Sequence, residues 1–270
     1  MQDPPNRTAA STPQLAQGVK PVDYDRVQHA AYARARALPP AAIGRYMDLF
    51  AGHLPQRRPL GGIDLGSGTG RFTPALAEAF GGPVYGVEPA ARMRQVAEAD
   101  ARHPRVRYLA GEAADIPLPD GCADFVLMFL SFHHVQDRAA AASEIARVLK
   151  PGGRFLLRST FKERIPDHWW RGFFPRSQAI EEAMFPTTDE ARAIFETAGF
   201  SALEVVRPEI PFKGDLHEAV EKLRLRAVST FEHMTEQELE EGFARLDAAL
   251  AGGTIERKST FGDFIVFERG

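Results

Sequence analysis

A glycine-rich loop is the segment of this sequence whose residue types point most directly to ligand binding. The segment 66–70 reads GSGTG and follows a short apolar run. Glycines after a strand let the backbone approach a ligand closely, and the amides that open the next helix favour an anionic group. The dinucleotide-binding pattern needs a third small residue where this chain has Arg71, which argues against NAD.

Acidic and histidine side chains occur where further strands are expected to end. Glu88 ends an apolar run 22 residues after the first glycine of the loop, and Glu112 follows the next run. A carboxylate at position 88 could accept both hydroxyls of a ribose as a bidentate pair. His133 and His134 come just after the apolar run 123–130. Because histidine titrates near neutrality, either one is a candidate general base.

Alternating strands and helices are predicted to position these side chains. The alternation indicates a mostly parallel sheet with helices on both faces and ligands at the carboxyl ends of the strands. The predicted strands are 62–65, 84–87, 106–110, 123–130, 154–159, 203–206 and 263–268, and the helices between them are 72–80, 91–101, 138–149 and 189–198. Two helices are expected before the first strand, and 263–268 is expected to be an antiparallel edge strand.

Three segments depart from this alternation. Residues 1–20 are rich in Pro, Gln, Ser, Thr and Ala and are expected to form a disordered arm, with a single domain over 21–270. Insertions at about 161–187 and 213–252 fall near the carboxyl ends of late strands. We expect both to form a helical lid. The tryptophan pair at 169–170 could line an acceptor pocket or simply pack.

Composition and charge narrow the possible partners. Lys and Arg total 33 against 36 Asp and Glu, a net charge of −3, so no global field attracts nucleic acid. Cys122 is the only cysteine, which excludes an intramolecular disulfide and favours a reducing, cytoplasmic location. No apolar run approaches the roughly 20 residues of a membrane span. We expect no membrane association and no metal, because no convincing chelating set of carboxylates occurs.

Several segments, taken in order, resemble the class I methyltransferases that use S-adenosylmethionine (SAM). These segments are 63–70 (IDLGSGTG), 84–89 (VYGVEP), 110–117 (AGEAADIP), 120–135 and 144–159 (EIARVLKPGGRFLLRS). The resemblance extends over about 24–159. It implies a Rossmann-like sheet of seven strands, mostly parallel, with helices on both faces, an antiparallel last strand and helical lid insertions.

The resemblance also implies a SAM site. Glu88 would hold the ribose hydroxyls, while Glu112 and the amide of Ala113 would read the adenine edge. Asp64 would contact the SAM amino group, directly or through water, although an acid in such a loop can also only cap the next turn. The expected cofactor residues are Tyr24, Tyr32, Arg36, Asp64, Gly66, Ser67, Gly68, Glu88, Pro89, Met93, Glu112, Ala113 and Phe129.

The N-terminal segment resembles the first helix of small-molecule members, including the quinone-methylating branch. In such enzymes an aromatic residue and an arginine of this helix cover the methionine end of SAM, which here implicates Tyr24 or Tyr32 with Arg36 or Arg34. An ordinary amphipathic helix with solvated arginines is the alternative. Tyr24 could also act with a histidine as a proton relay.

The function implied by the resemblance is methyl transfer from SAM to a small aromatic or apolar acceptor, by in-line displacement, leaving S-adenosylhomocysteine (SAH). Carbon, nitrogen and oxygen remain open as the methylated atom. His133, His134 and Tyr24 are the catalytic candidates, although a His-His pair also occurs in this family as a packing element. Two alternatives stay open: an RNA or protein methyltransferase, and a non-catalytic SAM-binding scaffold. A monomer or homodimer is expected.

Overall fold

A seven-stranded sheet forms the centre of the protein. The computed structural model describes residues 29–210 and 214–270, so Tyr24 and the predicted arm 1–20 lie outside the described residues. The strands are β1 Leu60–Leu65, β2 Gly81–Glu88, β3 Val106–Ala110, β4 Ala123–Phe129, β5 Leu149–Ser159, β6 Phe200–Val206, β7 Glu209–Ile210, β8 Thr260–Phe261 and β9 Asp263–Arg269. The sheet order is β3-β2-β1-β4-β5-β9-β6. In this sheet β9 runs antiparallel to β5 and β6, while the other neighbouring strands pair in parallel, which confirms the predicted Rossmann-like sheet. β7 and β8 form a separate two-stranded antiparallel sheet.

Helices cover both faces of this sheet. They are α1 His29–Ala35, α2 Pro40–His53, α3 Thr73–Phe80, α4 Ala91–Asp100, α5 Arg138–Val148, α6 Ser177–Met184, α7 Thr188–Thr197, α8 Leu216–Arg224 and α9 Glu236–Ala251. Every residue of β4 is buried. Phe125 and Leu127 pack in a core cluster with α2 and α3, while Val126 and Met128 pack in a second cluster with α5 and α7. The central strand is therefore apolar on both sides, as its uninterrupted hydrophobic run predicts.

The last strand is not at the edge of the sheet, so that part of the prediction is wrong. β9 lies between β5 and β6, and β6 forms the edge. Residues 263–267 are all buried. An apolar strand of this kind needs neighbours on both sides, whereas β6 exposes Leu203 and Val205 and tolerates the edge position.

The two insertions pack against each other through a third apolar cluster. Trp170 and Phe174 come from the first insertion, while Leu223, Phe231 and Phe243 come from the second. α6 lies in the first insertion and α8 and α9 lie in the second, so both insertions contain helices, as expected. Segments far apart in sequence thus form one layer of helices. Among the described residues, no helix is long and apolar enough to span a membrane.

Candidate functional site

The glycine loop joins β1 to α3 and owes its path to two glycines. Gly66 and Gly68 have φ angles of 73° and 56°, in the left-handed region that side chains disfavour. A Cβ at Gly66 would lie 2.7 Å from the Cβ of Ser131, which follows β4. The loop can therefore lie against the end of β4 only because position 66 has no side chain.

Glu88, the last residue of β2, is tied directly to this loop. Its Oε2 accepts a hydrogen bond from the amide of Gly68 at 2.9 Å, and its Oε1 accepts one from the amide of Ala90 at 3.0 Å. The residue is 7% exposed. A carboxylate has about four acceptor sites, so it can hold two amides and still accept hydrogen bonds from two ligand hydroxyls. Glu88 thus both organises the loop and presents an anion to a ligand.

A cavity of about 420 Å³, the first cavity, lies beside the loop at the carboxyl ends of β1, β2 and β4. Open α/β sheets bind ligands at this position. The predicted cofactor residues that border it are Tyr32, Gly66, Gly68, Glu88, Pro89, Met93, Glu112, Ala113 and Phe129. The structure therefore brings most of the predicted cofactor set together around one space.

The sequence analysis missed the contribution of the segment after β4 to the first cavity. Leu130, Ser131, Val135, Gln136 and Asp137 also border it. Ser131 Oγ donates to the carbonyl oxygen of Leu65 at 3.2 Å, which joins the end of β4 to the end of β1. In the sequence analysis only His133 and His134 of this region were predicted to take part in the site, as candidate bases. The position of the whole segment directly after the central strand could have predicted its contact with a ligand.

Asp64 does not border the first cavity. It is 3% exposed, and its Oδ2 accepts a hydrogen bond of 2.6 Å from the hydroxyl of Thr73. Burial raises the pKa of Asp64 to about 6, against the opposing effects of the Thr73 hydrogen bond and of Arg71. Asp64 therefore forms a buried hydrogen bond that connects β1 to α3. Its contact with a ligand amine stays a prediction.

The raised pKa of Asp64 predicts a stabilising substitution. The folded state favours the protonated carboxyl, so this contribution to stability is full below about pH 4 and is lost as the pH rises through about 6. Asp64→Asn keeps an acceptor for Thr73 and removes the charge, so we expect the free energy of unfolding at pH 8 to rise by up to about 3 kcal/mol. Urea unfolding from pH 4 to pH 8 measures this change. Asp48→Asn, at an exposed position of α2, is the control, and a lower midpoint for the Asp64 variant at pH 8 would contradict the expectation.

A second cavity of about 390 Å³ lies under the insertions. Phe129 and Leu130 border both cavities. Leu130 adopts a φ of 57°, unusual for a residue with a side chain, and its amide donates to the carbonyl oxygen of Arg158 on β5 at 2.7 Å. Both Trp169 and Trp170 border the second cavity. The strained end of β4 therefore separates two adjoining ligand-sized spaces.

The two candidate bases face different cavities. His133 borders the second cavity and His134 borders the first, and their ring centroids are 3.9 Å apart. His133 is 6% exposed, with Nε2 3.5 Å from Ser229 Oγ and with Nδ1 buried without a hydrogen bond among the described residues. Burial lowers the pKa of His133 well below its usual value, and burial lowers that of His134 to about 4. Both rings are neutral at pH 7.

A third cavity of about 340 Å³ lies between α1 and the glycine loop. Ser67 and Arg36 border it, whereas Arg34 is exposed. Arg36 Nε is buried and has no hydrogen-bond partner within the described ranges. Arg71 donates to the carbonyl oxygen of Arg36 at 3.0 Å and so joins α1 to the loop. The sequence analysis used Arg71 only to argue against NAD and missed this positioning role.

Across residues 29–210 and 214–270, no group of three or more His, Cys, Asp or Glu side chains is arranged to hold a metal ion. The first cavity wall carries the carboxylates of Glu88, Glu112 and Asp137, while neutral histidines border the first and second cavities and arginines border the second and third. This set suits an organic ligand with hydroxyl and carboxylate groups.

Comparison with known proteins identifies the family. A family model for a methyltransferase domain matches residues 63–157. A protein described as an uncharacterized methyltransferase of Geobacillus kaustophilus is 30% identical over 173 residues, which cover 58% of this chain and 80% of that relative. The chain belongs to the class I SAM-dependent methyltransferases. SAM is accordingly the cofactor of this methyltransferase.

Two further relatives are similar to the methyltransferase. A demethylmenaquinone methyltransferase of a Geobacillus species is 30% identical over 167 residues, which cover 53% of this chain and 71% of the relative. A crystal structure described as a methyltransferase from an antibiotic biosynthesis pathway of Anabaena variabilis has a TM-score of 0.69 and 24% identity, covering 84% of this chain and 97% of that one. The structural likeness supports the fold.

Proposed function

We propose that the methyltransferase binds SAM across the first and third cavities and transfers its methyl group to a small organic acceptor in the second cavity. The observation that carries this proposal is the wall that the first two cavities share, formed by Phe129 and Leu130. Two ligands that meet at this wall would lie side by side. Adjacent binding of donor and acceptor is what an in-line displacement requires.

The residues of the first and third cavities fit the parts of SAM. Glu88 presents a carboxylate suited to a pair of ribose hydroxyls, and the absence of a side chain at Gly68 leaves the backbone accessible. Glu112 and Ala113 are assigned to the adenine edge. Arg36, whose buried Nε has no hydrogen-bond partner among the described residues, is assigned to the carboxylate at the methionine end of SAM.

In the proposed reaction the protein mainly aligns the acceptor with the methyl group of SAM and excludes water from the site. Bound SAM supplies an already activated methyl carbon, so no covalent nucleophile is needed. Phe129 stands at the shared wall, and an aromatic face there would favour a nearby positive charge. The insertions enclose the second cavity and are proposed to act as its lid. His133 is proposed to orient the acceptor and to accept its proton where one is lost.

The size and lining of the second cavity favour a small acceptor. Its volume of about 390 Å³ suits a metabolite. Trp169, Phe185 and Phe261 give it aromatic walls. One relative is named for demethylmenaquinone and a structural neighbour for an antibiotic pathway, which supports a small organic acceptor over RNA or protein.

The different positions of the two histidines predict different effects of their removal. His133→Ala is expected to leave SAM affinity unchanged and to slow methyl transfer by about 10- to 100-fold. His134→Ala, on the first cavity, is expected to weaken SAM binding as well. Because burial holds the pKa of His133 well below its usual value, the rate of the unmodified enzyme should be flat from about pH 6 to pH 8.

Single-turnover transfer and calorimetric SAM binding measure these two effects separately. His103→Ala is the control, because His103 borders none of the three cavities. Loss of SAM affinity in the His133 variant, or a rate that rises about threefold between about pH 6 and pH 7 as a free histidine would give, would contradict the assignment.

Incubation with methyl-labelled SAM and cell extract fractionated by size tests the proposed function. We expect label in a fraction of small molecules, and no such label with the Glu88→Ala variant. Label confined to protein or RNA would indicate a macromolecular methyltransferase. SAM binding without label in any fraction would instead support the scaffold alternative, and either result would overturn the proposal.

A further inference from the structure

Arg158 is a buried arginine at the carboxyl end of β5, on the wall of the second cavity. The residue is 4% exposed. Its Nη1 donates to the carbonyl oxygen of Ser159, while its Nε is buried and has no hydrogen-bond partner in the described part of the chain. A buried cation with an unused donor is costly unless an anion neutralises it. Within the described residues, Arg158 is therefore a buried cation that no ion pair compensates.

No carboxylate of the described residues forms an ion pair with Arg158. The hydroxyl of Tyr46 on α2 and the carboxylate of Asp263 on the adjacent strand are close enough to act on it electrostatically, and Tyr46 is a neutral group. The Asp263 carboxylate, however, lies 3.5 Å from Arg164 and 3.6 Å from Arg207, with which it forms ion pairs. Its single charge is thus shared with two other cations.

The second cavity as a whole is positively charged. The cations on its wall are Arg36, Arg71, Arg158 and Lys222. Glu181 is the acidic residue on that wall, and it already pairs with Arg171 and accepts a hydrogen bond from Thr230. Burial lowers the pKa of both His133 and His168, so these rings are neutral at pH 7 and do not offset the charge.

Lys222 has an ion-pair partner, Arg71 joins α1 to the loop and Arg36 has an assigned ligand, whereas Arg158 has no ion-pair partner among the described residues and no assigned ligand. Lys222 pairs with Glu218 at 2.8 Å. Arg71 donates to the carbonyl oxygen of Arg36, and Arg36 is assigned to the SAM carboxylate. Arg158 therefore remains as the cation available to a second ligand.

We propose that the acceptor carries an oxyanion, a carboxylate or a phosphate ester, on an apolar body, and that Arg158 binds this oxyanion. The inference rests on the proposed function of the second cavity. A guanidinium can donate two parallel hydrogen bonds to an oxyanion. Trp169 and Phe261 offer apolar surface for the body. The Cζ of Arg158 is 5.9 Å from the ring centroid of Phe129, so the oxyanion binds near the wall that faces the cofactor.

Gly262 gives the Arg158 side chain its position. A Cβ at residue 262, between β8 and β9, would overlap the guanidinium. Gly262→Ala is therefore expected to move the guanidinium while keeping its charge. This substitution offers a way to disturb oxyanion binding without removing the buried cation.

The test uses the full chain saturated with SAH and three ligands: 2-naphthoate, 2-naphthyl phosphate and the neutral 2-naphthamide. Calorimetry is expected to give an affinity about tenfold or more higher for one of the anions than for the amide. The anion that binds more tightly shows whether the oxyanion of the acceptor is a carboxylate or a phosphate ester. Arg158→Met is expected to abolish the preference, and Gly262→Ala to reduce it.

Arg138→Met is the matched control, because Arg138 is also a buried arginine with an unpartnered Nε but borders none of the three cavities. It should keep the preference. Equal binding of anions and amide by the unmodified enzyme, or a preference that survives in Arg158→Met, would overturn the inference. SAH affinity is measured in every variant as a check on folding. Failure to bind SAH would refute the proposed function, whereas SAH binding without anion preference would refute the Arg158 proposal alone.

Discussion

Replacing Glu88 with alanine is expected to weaken SAM and SAH binding by about 100- to 1000-fold. Each hydrogen bond to a charged group contributes about 1.5–3 kcal/mol, and Glu88 is assigned two such bonds to the ribose. The substitution also leaves the amides of Gly68 and Ala90 without their acceptor, which loosens the glycine loop. Both effects act on the same ligand, so this is the largest change in binding that we expect from a single substitution.

Isothermal titration with SAH measures the effect on Glu88. Glu88→Gln should lose less affinity, since its amide oxygen can still accept one hydrogen bond. Glu98→Ala, on the exposed side of α4, is the control and should bind normally. An unchanged dissociation constant in Glu88→Ala would refute the ribose role and would leave Glu88 as a residue that only shapes the loop.

Replacing Glu181 with leucine is expected to destabilise the insertions by about 3–5 kcal/mol, because it leaves a buried cation uncompensated. Glu181, on α6, is 4% exposed and pairs with Arg171 in the same insertion. Its Oε1 also accepts a hydrogen bond of 2.8 Å from Thr230 in the second insertion. Glu181 therefore joins the two insertions that enclose the second cavity.

Hydrogen exchange distinguishes a local effect from a global one. We expect amides of α6, α8 and α9 to lose protection in the Glu181 variant while those of β1 and β4 keep theirs. Glu182→Ala removes the neighbouring, partly exposed glutamate, which accepts a hydrogen bond from Gln178 on the same helix. It should change stability by less than about 0.5 kcal/mol. Equal loss of protection in the sheet and the insertions would contradict a local role.

The parallel sheet and the glycine loop could be predicted because neighbouring residues encode them. The uninterrupted apolar run of β4 implies burial on both faces, and glycines at 66 and 68 permit the left-handed backbone that the loop adopts. Glu88 was predicted as a site residue because an acid at the end of an apolar strand is exceptional. The structure places it on the first cavity.

The position of β9 inside the sheet, between β5 and β6, could not be predicted, because the residues of a strand do not specify which strands pair with it. Its apolar pattern fits an antiparallel neighbour on one side or on both. β6 packs outside it because the outer strand can afford to expose Leu203 and Val205. Likewise the bounds of α6 within the first insertion could not be predicted, because its burial depends on residues about 50 positions later in the chain, such as Thr230.

The sequence by itself determined the family, the cofactor loop and the carboxylate beside it, since these depend on residues close together in the chain. Only the tertiary structure decided which cavity each histidine faces, that Arg36 rather than Arg34 lies at the glycine loop, and that Arg158 reaches the second cavity without an ion-pair partner among the described residues. The physical reason is that charge and burial in a cavity are properties of elements packed together from distant segments. A local pattern specifies a strand or a loop, but the neighbours that decide a side chain's chemistry come from elsewhere in the fold.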